Sequence, residues 1–385
     1  MHTNIYLGAV YETIKLDLSH LVKNITIGVF KLRNDTIQIL RGIAALSVVF
    51  YHFNQYLVNV GKNQNSMFNI FDHRFSYGAL LFFVISGFLM GKLIERGYKK
   101  FLLQRLLRIY PMYFIVVILT ILLKLLFFGS ITQNNFLESL TLLPFGEIQY
   151  TLGIEWTLVY EVFFYFICSI FILKRIRKFF LPFLFIWFIM IICNTYIFHI
   201  PVSFLPKIHE ILLSSFNIYF IAGCFAYYVQ RNLNLKGKSL DKLVVLLLLI
   251  VILCLDNIIS DFPYYFEVHT LSLSLLLFGV IIFGVGIQFR DSVFSRILVR
   301  IGDFSYALYL THVPSITILL AFIYLKTGRP VDNFSAFGIL VIILILGCYL
   351  GKMDLNMHQM IKQKMNSSNP FSLKSYTLKN MRKRV

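Results

Sequence analysis

The sequence predicts an all-α integral membrane protein with about ten transmembrane helices and both termini in the cytoplasm. Three observations carry this prediction: the composition, the spacing of apolar runs and the placement of basic residues. Of the 385 residues, 58% are hydrophobic and 14% are charged, whereas soluble domains have about 25% charged residues. Because about 20 apolar residues cross the hydrocarbon core of a bilayer, this composition suffices for about ten or eleven spans.

Runs of about 18 or more mainly apolar residues mark the position of each span. Ten such runs follow one another along the chain, at residues 38–59, 76–95, 106–128, 155–173, 179–199, 208–230, 241–258, 264–288, 301–325 and 334–351. The predicted organisation is therefore an N-terminal cytoplasmic extension (1–34), one ten-helix membrane domain (35–352) and a basic cytoplasmic tail (353–385).

The basic residues alternate with the predicted crossings. Of the 36 Lys and Arg residues, 30 fall in the terminal regions or in even-numbered connections, and five fall in odd-numbered ones. This is the positive-inside pattern, which places both termini in the cytoplasm. A net charge of +18 would suggest nucleic-acid binding in a soluble protein, but here the cations are spread over many loops instead of one face. We therefore exclude nucleic acid as a partner.

Two ionisable residues of the first run share one helix face. Arg41 and His52 are 11 residues apart, which corresponds to about three full turns and about 16 Å of rise. Arg41 then lies at the cytoplasmic rim and His52 near the middle of the bilayer, where ionisable groups are costly and are functional candidates. Structural roles stay open for both: a snorkelling anchor for Arg41 and an interhelical hydrogen bond for His52. A neutral His52 also has the lone pair that a general base needs.

A second pair of basic residues opens the third run. Arg105 and Arg108 are three positions apart and point the same way from the cytoplasmic end of a helix. Paired guanidinium groups suit phosphate recognition, which predicts a phosphate-bearing ligand that arrives from the cytosol. The simpler interpretation, a positive-inside stop at a helix end, is the more common one for this spacing.

Further polar groups recur at depth. His312 lies about 16 Å from the cytoplasmic rim of its run, which matches His52, and Glu161 lies about 9 Å below the outer start of its run. An unpaired carboxylate at that depth would be strongly penalised. Ser86-Gly87 in the second run is most simply a close helix contact.

A cytoplasmic phosphate-binding candidate and two mid-membrane histidines together indicate a transfer through the membrane. The alternative is a transporter or flippase of a polar or polyprenyl-linked solute, which predicts interrupted spans in matching halves. Pro111, Pro182 and Pro314 occupy no such matched positions. No metal is expected, because the five cysteines all fall inside predicted spans and lack metal-ligand spacing.

Five segments, in order within residues 35–325, resemble the motifs of acyltransferase family 3. This family of integral membrane acyltransferases includes bacterial O-antigen and other surface-polysaccharide O-acetyltransferases. The segments are Arg41 to His52 (arginine, ten residues, histidine), Leu81 to Phe88 (Leu-Phe-Phe-x-x-Ser-Gly-Phe), Arg105 to Arg108 (Arg-x-x-Arg), Trp156 to Tyr165 (with Thr157 for the usual serine) and Ser305 to Pro314. Each motif is weak alone, but five in order are specific.

The resemblance implies a multi-pass O-acetyltransferase of the bacterial cytoplasmic (inner) membrane. Its donor would be acetyl-CoA from the cytoplasm, and its acceptor a saccharide hydroxyl at the outer face, on a surface polysaccharide such as the O-antigen of lipopolysaccharide or on a lipid-linked precursor. The outward segments 60–75 and 129–154 are the candidate acceptor platform. The implied roles are donor binding by Arg105, Arg108 and Ser86, assistance at the donor end by Arg41, general base or acyl carrier for His52, and orientation or proton relay by Glu161 and His312.

Overall fold

Helices make up most of the described chain. The structure is a computed structural model, and it describes residues 35–97, 100–129, 136–200, 202–233, 239–260, 265–287, 289 and 291–367. The predicted N-terminal extension (1–34) and residues 368–385 of the predicted tail lie outside the described residues. The α-helices of the described part are α1 (Asp35–Asn59), α2 (Tyr77–Arg96), α3 (Phe101–Phe128), α4 (Phe136–Thr141), α5 (Glu155–Ile170), α6 (Phe180–Ile192), α7 (Asn217–Leu233), α8 (Ser239–Ile259), α9 (Tyr265–Gly284), α10 (Val293–Thr327) and α11 (Asn333–Ser367).

A helix lies at each of the ten predicted runs. Eight helical segments of the described residues are long and apolar enough to cross a membrane; one of them, Arg177–Ile197, is α6 together with the short helical turns at its two ends. The other two, α5 and α7, have 16 and 17 residues, which is somewhat shorter than a hydrocarbon core of about 30 Å at 1.5 Å per residue. The number of crossings and the side of the termini stay predictions.

The outer surface of the helices is strongly apolar. On α3, Ile118, Leu122 and Leu126 follow one another at one-turn spacing and are 57%, 57% and 77% exposed. Such a row of large apolar side chains is unfavourable against water and favourable against lipid. The chain is therefore an all-α integral membrane protein.

Three helix boundaries differ from those that the apolar runs predict. An apolar run marks the residues that suit the hydrocarbon core, whereas a helix can begin or end outside that run. α10 begins at Val293, where Ser292 and Ser295 form a reciprocal capping box. α11 continues past residue 351 to Ser367 through Lys, Met and Gln residues that are good helix formers. α7 begins only at Asn217, whose side-chain amide donates to the Ile211 carbonyl at 2.6 Å and closes the preceding turn.

Two helix pairs approach closely at glycines. A Cβ on Gly302 of α10 would lie 1.9 Å from the backbone oxygen of Gln38 in α1, and one on Gly87 of α2 would lie 2.0 Å from the backbone oxygen of Phe220 in α7. Because these neighbours are backbone atoms, they cannot move aside without separating the helices. The contact at Gly87 is the close packing predicted for Ser86-Gly87, and it fixes the position of the adjacent Ser86.

Candidate active site

One cavity brings together side chains from α1, α2, α3, α5, α10 and α11. Its volume is about 370 Å³, within the range of about 300–1,000 Å³ typical of small-molecule sites. Among the residues that line it are five of the sequence-predicted site residues: Arg41, Ser86, Arg105, Arg108 and Glu161. The structure thus gathers residues that are up to 120 positions apart in sequence.

Arg41 and Arg105 face this cavity without a protein partner. Within the described residues, neither side chain makes a hydrogen bond or an ion pair, and both residues are half-buried. The charge of Arg41 interacts with those of Arg108 and Glu161. Half-buried guanidinium groups without hydrogen-bond acceptors are unfavourable, so the two arginines form a site suited to an anion.

Arg108 differs from Arg105 because it already has an acidic partner. Its Nη1 donates to Oδ1 and Oδ2 of Asp354 in α11, at 2.8 and 2.6 Å, and Asp354 is buried. The guanidinium also lies over the Tyr306 ring, with Cζ 5.0 Å from the ring centroid. Asp354 offsets the charge of Arg108, so Arg105 is the more available of the two to an anionic ligand.

Glu161 is compensated inside the cavity by neutral donors. Its Oε1 accepts a hydrogen bond from Ser86 Oγ at 3.3 Å and another from the hydroxyl of Tyr165, one turn further along α5. The positive charge of Arg41 also acts on it. These contacts explain how a carboxylate is tolerated at this predicted depth. Because the Ser86 hydroxyl donates to Glu161, it serves to orient that carboxylate.

The two histidines that are predicted to lie mid-membrane contact each other. His52 Nδ1 lies 3.0 Å from Nε2 of His312, and His312 Nδ1 lies 2.5 Å from the backbone oxygen of Tyr309. A carbonyl oxygen only accepts, so Nδ1 of His312 carries a hydrogen. In a neutral His312, Nε2 is then the acceptor and His52 Nδ1 the donor, an assignment that follows from the hydrogen-bond network. The lone pair of His52 Nε2 is left available.

Tyr309 links the histidines to the cavity. Neither His52 nor His312 lines the cavity, but Tyr309 does, and its backbone oxygen is the one that His312 contacts. The Tyr309 hydroxyl shares a 2.8 Å hydrogen bond with Thr157 Oγ1. Thr157 therefore keeps the hydroxyl of the serine it replaces in the motif.

The sequence reasoning missed the part that α11 plays. His358, Ile361, Lys362 and Met365 line the cavity, in the turns that follow Asp354. The signal was a spacing of four residues between Asp354, His358 and Lys362, which places them on one helix face. An apolar-run search ends before these residues.

A polar network ties the predicted outer ends of α2, α8 and α9 together. Asp256 lies 2.9 Å from His73 Nε2 and 3.2 Å from His269 Nε2. It also accepts from the Tyr77 hydroxyl at 3.0 Å. None of these residues lines the cavity, so we assign the network to helix packing.

Polar contacts hold the predicted outward segment 60–75 in place. Asn63 Nδ2 donates to the Val331 carbonyl at 2.8 Å. Arg74 Nε donates to both carboxylate oxygens of Asp72, at 3.0 and 2.8 Å, and this bond holds the pKa of Asp72 below its ordinary value. Of the other candidate acceptor segment, residues 130–135 lie outside the described residues.

Comparison with known proteins places all the site residues predicted from the sequence within one family match. The family described as the acyltransferase domain of acyltransferase 3 matches residues 34–353. The chain is also similar to "Putative acetyltransferase ORF330" of the Acidianus two-tailed virus, with 27% identity over 288 residues that cover 71% of this chain and 81% of that protein. No solved structure is a significant match. The family match contains all five motifs, the cavity arginines and the histidine pair, and so this chain belongs to the acyltransferase 3 family of membrane acyltransferases.

Proposed function

We propose that the protein is an O-acetyltransferase of a bacterial cytoplasmic membrane. It takes an acetyl group from acetyl-CoA on the cytoplasmic side and passes it to a saccharide hydroxyl on the outer side. The observation that supports this most is the connection between a site suited to an anion and a candidate general base. A cavity in which the guanidinium groups of Arg41 and Arg105 have no partner among the described residues is linked through Tyr309 to a histidine pair with an available lone pair.

The arginines would hold the donor. CoA carries phosphate groups that need charged hydrogen-bond donors, and Arg105 lies near the start of α3, at the predicted cytoplasmic end. The cavity wall formed by α2 is largely apolar, with Phe82, Phe83, Leu89, Met90 and Leu93. The pantetheine arm would lie along this wall and direct the thioester toward Tyr309.

His52 would act on the acceptor. Its Nε2 takes the proton of the acceptor hydroxyl while the oxygen attacks the thioester carbonyl carbon. The C–S bond then breaks, and the CoA thiolate takes up the proton from His52. His312 Nε2 accepts from His52 Nδ1 throughout, which orients the ring and stabilises the imidazolium. General-base catalysis of this kind contributes about 10²–10⁴-fold.

The same lone pair would also serve if His52 carried the acetyl group. In that case Nε2 attacks the thioester carbon, the C–S bond breaks, and CoA leaves as the thiolate. The acceptor hydroxyl then attacks the carbonyl carbon of the acetylated imidazole, the C–N bond breaks, and the CoA thiolate takes up the hydroxyl proton. Incubation of the purified protein with labelled acetyl-CoA, without an acceptor, separates the two routes, because only the second leaves label on the protein.

The transporter alternative gains no support from the helices. It predicts interrupted spans in matching halves, but α3 and α10 run without a break through Pro111 and Pro314. No observation on the described residues favours it over transfer chemistry.

Deletion and complementation test the proposal. Surface polysaccharide from a deletion strain should lack an acetyl signal in its proton NMR spectrum, and the wild-type gene should restore that signal. Genes encoding His52→Ala or Arg105→Ala, expressed to equal membrane levels, should not restore it. An unchanged acetyl signal in the deletion strain would contradict the proposal.

A further inference from the structure

The end of α11 lies beyond the part of the chain that the family shares. The family match ends at residue 353, whereas α11 ends at Ser367. We call residues 354–367 the α11 extension. It borders the same cavity that Arg41 and Arg105 line, and the proposed reaction assigns no role to it.

One face of the α11 extension is turned toward the cavity. Asp354, His358 and Lys362 recur at intervals of four residues, so they form a single row along the helix. Asp354 fixes the start of this row through its two hydrogen bonds from Arg108. His358 and Lys362 both line the cavity.

The two basic members of this row, His358 and Lys362, have little acidic compensation. His358 Nδ1 is buried and has no hydrogen-bond partner within the described residues. The charges that act on His358 are those of Arg108, Lys362 and Arg105, opposed by Asp354 alone. Asp354 is the one acidic group among the charges that act on His358 within the described residues, and it already pairs with Arg108.

We propose that the α11 extension binds the 3′-phosphate of CoA, through His358 and Lys362, with Asp354 as a positioning residue. This assignment rests on the proposed function, because it takes acetyl-CoA as the donor. Phosphate oxygens would accept from the Lys362 ammonium and from the imidazole N–H of His358, which gives the buried nitrogen a partner.

The order of groups along CoA agrees with the order of cations along the cavity. Lys362 lies about 12 Å further along the α11 axis than Asp354, which pairs with Arg108. In CoA, the pyrophosphate lies between the pantetheine arm and the ribose that carries the 3′-phosphate. With the thioester near Tyr309, the pyrophosphate reaches Arg41 and Arg105, and the 3′-phosphate reaches the outermost cation, Lys362.

Acetyl-dephospho-CoA, which lacks only the 3′-phosphate, tests the assignment. We would measure equilibrium binding of acetyl-CoA and of acetyl-dephospho-CoA to the purified full-length protein in detergent. The wild type should bind acetyl-CoA about tenfold more tightly, as expected for the loss of a charge-assisted contact. Lys362→Ala should lose most of this preference through weaker binding of acetyl-CoA alone, and Lys362→Arg should keep it.

Lys352→Ala is the matched control. Lys352 is exposed on the same helix, does not line the cavity, and should leave the preference unchanged. A preference that persists in Lys362→Ala, or equal binding of both ligands by the wild type, would overturn the 3′-phosphate assignment and leave the proposed function standing. Failure of the wild type to bind either ligand would overturn the proposed function, and the assignment with it.

Discussion

The substitution Asp354→Asn tests the ion pair that attaches α11 to α3. Arg108 Nη1 donates to both carboxylate oxygens of Asp354 at 2.8 and 2.6 Å, and the two side chains are 19% and 1% exposed. Asparagine has nearly the same shape and keeps one acceptor, but it removes the negative charge. The substitution therefore leaves the Arg108 guanidinium without its counter-charge, close to the charge of Arg41.

The expected loss of stability follows from this burial. Breaking a buried ion pair by removing one partner costs about 3–5 kcal/mol. Because Arg108 borders a cavity and asparagine still accepts one hydrogen bond, we expect about 2 kcal/mol. One kcal/mol shifts the melting temperature of domains of 150–250 residues by roughly 2–4 °C, and of longer chains by less, so Asp354→Asn should lower it by about 4 °C.

Thermal unfolding of the purified protein in detergent measures this effect. Asp291→Asn is the matched control, because Asp291 and Arg296 form a 3.3 Å pair whose side chains are 82% and 66% exposed, and exposed pairs contribute little. The double variant Arg108→Gln/Asp354→Asn should be more stable than the sum of the single effects predicts. If Asp354→Asn melted like Asp291→Asn, or if the two cavity substitutions were additive, the ion pair would not hold α11 in place.

Three further outcomes are expected. Gly87→Ala should lower the yield of folded protein, and lower its melting temperature by several degrees, because the new Cβ would lie 2.0 Å from a backbone oxygen. Gly338→Ala, whose Cβ would have no atom within 4 Å, should change neither. Equal melting curves for the two variants would contradict the close contact. His312→Gln should reduce acetyl transfer about 10–100-fold, less than the loss of about 10²–10⁴-fold expected for His52→Ala, because His312 only orients and stabilises the base. Thr157→Val should lower the turnover of acetyl-CoA because Tyr309 loses its hydrogen bond, and Thr157→Ser should restore it; two variants with the same rate would refute a role for this hydroxyl.

The sequence predicted those features that depend on local periodicity. Apolar runs located a helix at all ten positions, because the bilayer imposes one length on each span. The rise per residue predicted the same depth for His52 and His312, and the structure brings His52 Nδ1 to 3.0 Å from His312 Nε2. The family motifs named Arg41, Arg105 and Glu161, which meet in one cavity.

Features that depend on pairing between distant helices were not predictable from one sequence. Arg108 and Asp354 are 246 positions apart, and no local pattern says that α3 and α11 are neighbours. The two arginines of the Arg-x-x-Arg motif looked equivalent for the same reason, although among the described residues only Arg108 has an acidic partner. The sequence analysis assigned the α11 extension to the tail because the apolar run ends at residue 351. The helix itself continues through polar residues to Ser367.

The central claim is that the cavity holds the donor while His52 performs the transfer. The most direct measurement is the amount of labelled acetyl that membranes containing His52→Ala transfer from acetyl-CoA to cell-envelope saccharide, at a protein level equal to the wild type. We predict transfer below about one hundredth of the wild-type rate, although the purified variant binds acetyl-CoA as tightly as the wild type, because His52 does not line the cavity. Transfer at the wild-type rate by His52→Ala would contradict the account.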